Sequence, residues 1–142
     1  MNDQPIYPSV FASSDICVSL VDGDPGIRHE RQLLLRSEGY DVRSYSTRAA
    51  LLADPRSRDY PCIVLDVELQ TGDAISLLNE MRATGWRGKA VLLADIDPAC
   101  SFVCDAKRHG DTVLERDAGG RSLIAAIKAS VDHGWCRWGA QG

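Results

Sequence analysis

The sequence lacks any apolar run near the roughly 20 residues that a membrane-spanning helix needs, so no span is expected. Met1 to Ser14 has neither a basic start nor a following apolar stretch, and so does not read as a secretory leader. Basic charge is not in excess. Sixteen Lys and Arg against 20 Asp and Glu leave a formal net charge of -4. That balance argues against binding to nucleic acid or an anionic membrane surface. No internal repeat and no low-complexity block is visible, and no glycine-rich phosphate loop follows the first apolar run, which argues against a nucleotide or flavin site. Cys17, Cys62, Cys100, Cys104 and Cys136 have no histidine at metal-ligand spacing, so they read as buried or idle thiols. His29, His109 and His133 are scattered and read as surface or helix-end residues. The expectation is a cytoplasmic protein that is not an enzyme.

What is present fits one compact domain: 142 residues, 44% of them apolar and 25% charged. Met1 to Ser14 reads as a loose arm, and 15–131 alternates between strand and helix patterns. The apolar run Ile16 to Val21 ends in Asp22-Gly23-Asp24-Pro25, an acid-rich turn suited to a helix start. A helix with Ile27, Leu33, Leu34 and Leu35 as its apolar stripe then runs to Gly39. Tyr40 to Tyr45 alternates as a strand, and Thr47 to Asp54 is a short helix closed by Pro55. Cys62 to Leu65 is a second buried strand, ending at Asp66. Ala74 to Thr84 is a helix, Ala90 to Ala94 a third apolar run, and Pro98 to His109 a helix. Thr112 to Leu114 is a short strand, and Arg121 to Val131 a final helix. Strand then helix, five times, with strands apolar throughout, predicts a doubly wound α/β domain on a parallel sheet. Such sheets bind ligands at the carboxyl ends of their strands.

Asp22, Asp24, Asp66, Asp95 and Asp97 all fall at those ends. Carboxylates gathered there repel one another unless a cation or basic side chain offsets them. Mg2+ takes oxygen ligands and suits such a site. A carboxylate beside a cation can also act as a nucleophile toward a phosphoryl donor, with a basic side chain assisting, and Arg116 just beyond Leu114 is placed for that. Asp24 before Pro25 and Asp97 before Pro98 read as helix caps as well. Asp22 and Asp66 are the stronger functional candidates, because each directly ends an apolar strand.

These residues resemble the receiver domain of bacterial response regulators. The resemblance covers about Ile16 to Val131 and rests on Leu20-Val21-Asp22-Gly23-Asp24-Pro25-Gly26-Ile27-Arg28 and Ile63-Val64-Leu65-Asp66-Val67-Glu68-Leu69. It implies the flavodoxin-like (βα)5 fold, a five-stranded parallel sheet in the order 2-1-3-4-5. It also implies Asp66 as phosphoacceptor and Mg2+ ligand, Asp22 as first acid of a Mg2+ pair, and Arg116 in place of the family lysine; Asp24, at a different position in the turn, is the substitute candidate for the second acid of that pair. The chain departs from the pattern at several positions. The second metal acid falls on Gly23, the threonine or serine of the fourth strand on Ala94, and the small residue after it on Asp95. The aromatic switch falls on Val113, and the proline after the basic residue on Asp117. The proline and glycine of the loop after Asp66 fall on Gln70 and Ala74. The acceptor survives and the usual readout does not.

The expected function is therefore that of a stand-alone, atypical receiver. It would accept a phosphoryl group from a histidine kinase or phosphotransfer protein on Asp66, with Mg2+, and signal to a downstream protein by contact. The other reading is a phosphorylation-independent interaction module. Residues 132–142 read as a short tail with no output domain, whose Trp135 and Trp138 either cover the last helix or anchor a partner, a homodimer included.

Overall fold

In the computed structural model, residues 16–67, 71–95 and 101–141 are described, without the side chains of 71–73, 101–103, 105 and 132–141. The expected arm, Glu68 to Gln70, Asp97, Pro98 and Cys100 lie outside these residues. Five strands form one parallel sheet in the order β2-β1-β3-β4-β5: β1 (Cys17–Val21), β2 (Asp41–Tyr45), β3 (Cys62–Val67), β4 (Lys89–Ala94) and β5 (Thr112–Leu114). The helices between them are α1 (Pro25–Ser37), α2 (Arg48–Ala53), α3 (Thr71–Ala83), α4 (Ser101–Arg108) and α5 (Gly120–Gln141). This is the expected flavodoxin-like topology.

Local chemistry sets the boundaries. Asp24 caps α1, its carboxylate accepting from the Gly26 and Ile27 amides at 2.9 and 3.1 Å, with Pro25 preset for the first turn. The helix stops before Gly39, whose φ of 93° is the left-handed conformation that glycine adopts without strain. In α3, Ala74, Leu77, Leu78 and Met81 recur at helical spacing and all are buried. Along the edge strand β2 only Val42 and Tyr45 are buried, and their opposite parity sends them to opposite faces of the sheet.

Alternation along the strands sorts the core into two layers. Ile63, Leu65 and Val67 of β3 face α2, α3 and α4, packing with Leu51, Leu77, Met81, Trp86 and Ala106. Cys62 and Val64 face α1 and α5, packing with Leu35, Leu123, Ile127 and Val131. Asp66 shares the parity of Cys62 and Val64, so its side chain leaves β3 on the α1 and α5 side.

Three details differ from expectation. Leu33, assigned to the apolar stripe of α1, is 53% exposed; Leu35 is the residue fully buried there. Pro55 does more than close α2, since it opens a 3-10 turn, Pro55–Asp59, capped by Asp54. The last helix does not end at Val131 but runs to Gln141, through a segment with no proline to stop it. Trp135 and Trp138 therefore sit on a helix rather than in a tail, with side chains outside the described set. No helix among the described residues is long and apolar enough to cross a membrane.

Candidate functional site

β1 and β3 are hydrogen-bonded neighbours, Val21 pairing with Leu65. The residues that follow this pair, Asp22 and Asp66, therefore emerge side by side at the carboxyl edge. Both are buried, at 1% and 7% exposure. Asp22 is fixed at both ends: its amide donates to the Tyr45 carbonyl at 3.1 Å, and its Oδ1 accepts from the Asp24 amide at 3.0 Å. Its backbone oxygen accepts from Arg28 Nη1 at 2.8 Å.

Two buried carboxylates this close need positive charge, and the chain supplies it twice. Arg31 Nη1 donates to Asp22 Oδ2 at 2.6 Å and to Asp66 Oδ2 at 2.8 Å, so a single nitrogen joins the pair. Arg116, two residues beyond β5, brings Nε to 3.0 Å from Asp66 Oδ1. That contact is an ion pair without hydrogen-bond alignment, and among the described residues Asp66 Oδ1 accepts no hydrogen bond. Each carboxylate thus contacts a guanidinium, Asp66 meeting both Arg31 and Arg116, while Arg28 approaches Asp22 from its carbonyl side. The Asp22 carboxyl is nevertheless held above its ordinary pKa. Burial is the main cause, and the Asp66 charge adds to it; the Asp24 amide and Arg31 pull the other way.

Arg31 lies on the buried face of α1 for a simple reason. It is one turn from Ile27 and one turn from Leu35, on the stripe that meets the sheet. The signal was present in the sequence as a cation at i+4 within an apolar stripe. Composition and strand-end reasoning did not register it, because Arg31 is on neither a strand end nor a motif.

Of the residues expected at the site, Asp22, Asp66 and Arg116 come together. Asp24 lies next to them in sequence but commits its carboxylate to the start of α1. Asp95 is peripheral, its carboxylate 68% exposed and 4.0 Å from Arg116 Nη1. Ala94 is buried at the end of β4 and brings only a methyl group, and Val113 packs against the core from β5.

These residues do not fit a divalent cation. The Arg31 guanidinium lies between Asp22 and Asp66, Gly23 offers no side-chain oxygen, and Asp24 is engaged elsewhere. No cluster of three or more His, Cys, Asp or Glu side chains suited to a metal exists among the described residues.

The chain resembles known proteins over most of its length. Its sequence is 24% identical over 114 residues to the transcriptional regulatory protein TdiR of Thauera aromatica, covering 80% of this chain and 50% of that one. The chain thus spans about half the length of this curated relative. In structure it matches full-length FixJ from B. japonicum with a TM-score of 0.73 and 22% identity, over 85% of this chain and 60% of FixJ. It also matches the signal receiver domain of a putative Luxo repressor protein from Vibrio parahaemolyticus. There the TM-score is 0.77 and the identity 13%, over 89% of this chain and 98% of that domain. The fold is that of a response-regulator receiver domain. No protein-family profile matches the chain.

Proposed function

We propose that this chain is a receiver module of two-component signalling, with Asp66 as phosphoryl acceptor and a downstream protein as reader of the change. The observation that carries this reading is Asp66 itself. It is a buried carboxylate at the end of the central strand, held through Oδ2 by Arg31, with Oδ1 free of hydrogen bonds and facing Arg116. In the proposed step an oxygen of Asp66 attacks the phosphorus of a phosphohistidine on a kinase or phosphotransfer protein. The O–P bond forms, the N–P bond breaks, and its electron pair stays on the imidazole nitrogen, which takes up a proton. Arg116 and Arg31 offset charge on the transferring oxygens, a task that guanidinium geometry suits. The module changes charge and contacts rather than turning over a small molecule.

Incubation with a small phosphodonor such as phosphoramidate, read by intact mass, tests the proposal. An adduct of one phosphoryl group in wild type that is absent from Asp66→Ala supports it. Absence of an adduct from both, with donor and kinase alike, defeats it.

A second reading is a constitutive interaction module on the receiver scaffold. It is favoured by Ala94, which leaves no hydroxyl beside Asp66 at the end of β4, and by Val113, an aliphatic residue packed in the core. Under that reading partner affinity is the same for wild type and Asp66→Asn, whereas the phosphorylated switch requires it to differ.

A further inference from the structure

We infer that Arg31 takes the place of a divalent cation in this pocket, so that the acidic pair is balanced by the chain itself and Mg2+ is kept out. The inference rests on reading Asp22 and Asp66 as the receiver pocket, and it concerns what stands between them. Four observations carry it. First, Arg31 Nη1 lies 2.6 Å from one carboxylate and 2.8 Å from the other, the bridging position a shared cation would hold. Second, the arginine is not a surface side chain that swings in by chance. Its side chain is 14% exposed, and it is delivered from the sheet-facing stripe of α1, one turn above the fully buried Leu35. Third, two oxygens beside the Asp22 carboxylate are engaged. Asp24 caps α1, and the Asp22 carbonyl accepts from Arg28. Fourth, Arg31 and Arg116 already offset both negative charges. A dication entering this pocket would meet two guanidiniums at close range, and it would have to break two charge-assisted hydrogen bonds to reach the carboxylates.

Removing the guanidinium should therefore open a metal site. Gly23 adds a way to strengthen it. A Cβ built there meets, among the described residues other than its chain neighbours, the Ser46 carbonyl oxygen at an ordinary 3.9 Å, so the position next to Asp22 accepts a β-carbon from which an aspartate can be built.

Full-length wild type, Arg31→Gln and Arg31→Gln/Gly23→Asp are titrated with MgCl2 and followed by amide NMR shifts. MnCl2 is then added in trace amounts to locate the ion by paramagnetic broadening. Wild type is expected to show no saturable shift at Asp22 or Asp66. Arg31→Gln should bind at least about tenfold more tightly than wild type, since one repelling charge is gone. The double variant should bind more tightly still, and adding Asp66→Asn should abolish the gain. The inference is overturned if wild type binds Mg2+ at Asp22 and Asp66 as tightly as Arg31→Gln does. It is equally overturned if both variants keep dispersed, folded spectra and neither binds. Saturable Mg2+ binding at Asp22 and Asp66 in wild type overturns the inference by itself, even if Arg31→Gln does not fold. Absence of a phosphoryl adduct would defeat the proposed function and leave these binding results standing.

Discussion

Replacing Arg31 by methionine keeps an unbranched apolar stem in place of the arginine stem and deletes the charge between two buried carboxylates. The cost can be bounded from the structure. Two charge-assisted hydrogen bonds are lost, each worth about 1.5–3 kcal/mol, and Asp22 and Asp66 then face each other with Arg116 beside Asp66 and Arg28 at the Asp22 carbonyl. The protein can escape the repulsion by protonating one carboxyl. Holding a proton at pH 7 on a group that ordinarily titrates near 4 costs about 4 kcal/mol, which sets a ceiling. The expected penalty is about 3 kcal/mol at pH 7, or a fall of roughly 10 °C in Tm. The pH dependence carries a definite sign. In the variant one carboxyl of the pair has a folded pKa raised above its unfolded value, so the folded state binds more protons and stability falls as pH rises through that window. At pH 5 the protonation ceiling drops to about 1.5 kcal/mol, and the gap between Arg31→Met and wild type should close accordingly. Urea unfolding followed by far-UV circular dichroism at both pH values measures this. A penalty below about 0.5 kcal/mol at pH 7 would refute the reasoning, because that is the range of an exposed ion pair. So would a penalty that does not shrink at pH 5.

Other consequences lie outside the pocket. Asp111 is buried, accepts from Arg82 Nη2 with both oxygens at 2.9 and 3.0 Å, and also accepts from the Ala90 amide at 2.9 Å. Asp111→Ala should cost about 3 kcal/mol in chemical denaturation, since it leaves a partly buried guanidinium and a buried amide without that partner. The Cys62 thiol is fully buried and pushed up to about 12 by desolvation, so it should resist a thiol reagent at pH 8 in the native state, whereas the exposed Cys104 reacts; mass mapping of the labelled sites checks both. The Asp54 carboxyl lies below its ordinary value, chiefly because the Tyr45 hydroxyl donates to it at 2.7 Å and secondarily through the Arg56 amide. A depressed carboxyl contributes stability that is present above its unfolded pKa and lost as pH falls through the folded one. Tyr45→Phe should therefore flatten the loss of stability below about pH 4 in acid titrations.

Most of the fold was legible because its strands are short, apolar and bounded by acids, glycines and prolines. Five strand-and-helix repeats leave few topologies, and the parallel sheet follows from strands buried on both faces. The helix ends carried by chemistry, Asp24 with Pro25 and then Gly39, were legible for the same reason. The end of α5 was not, because nothing in residues 132–141 stops a helix and nothing in their pattern demands one. Asp22, Asp66 and Arg116 could be placed together because strand ends converge in this topology. Arg31 could not be found that way. Whether a helical cation points at a sheet edge depends on how α1 is rotated, and Leu33, 53% exposed, shows that the apolar stripe as first drawn was rotated from the true one. Taken from Leu35 backward, the stripe reaches Arg31 and then Ile27, which identifies the bridging residue.

The bridge is most directly examined by arginine side-chain NMR on wild type, recorded with and without millimolar Mg2+ and compared with Asp22→Asn and Asp66→Asn. The account predicts a slowly rotating, exchange-protected Arg31 guanidinium that Mg2+ leaves unchanged and that either asparagine variant loosens. A guanidinium signal that averages like a free side chain, or one released from the pocket when Mg2+ is added, would contradict it.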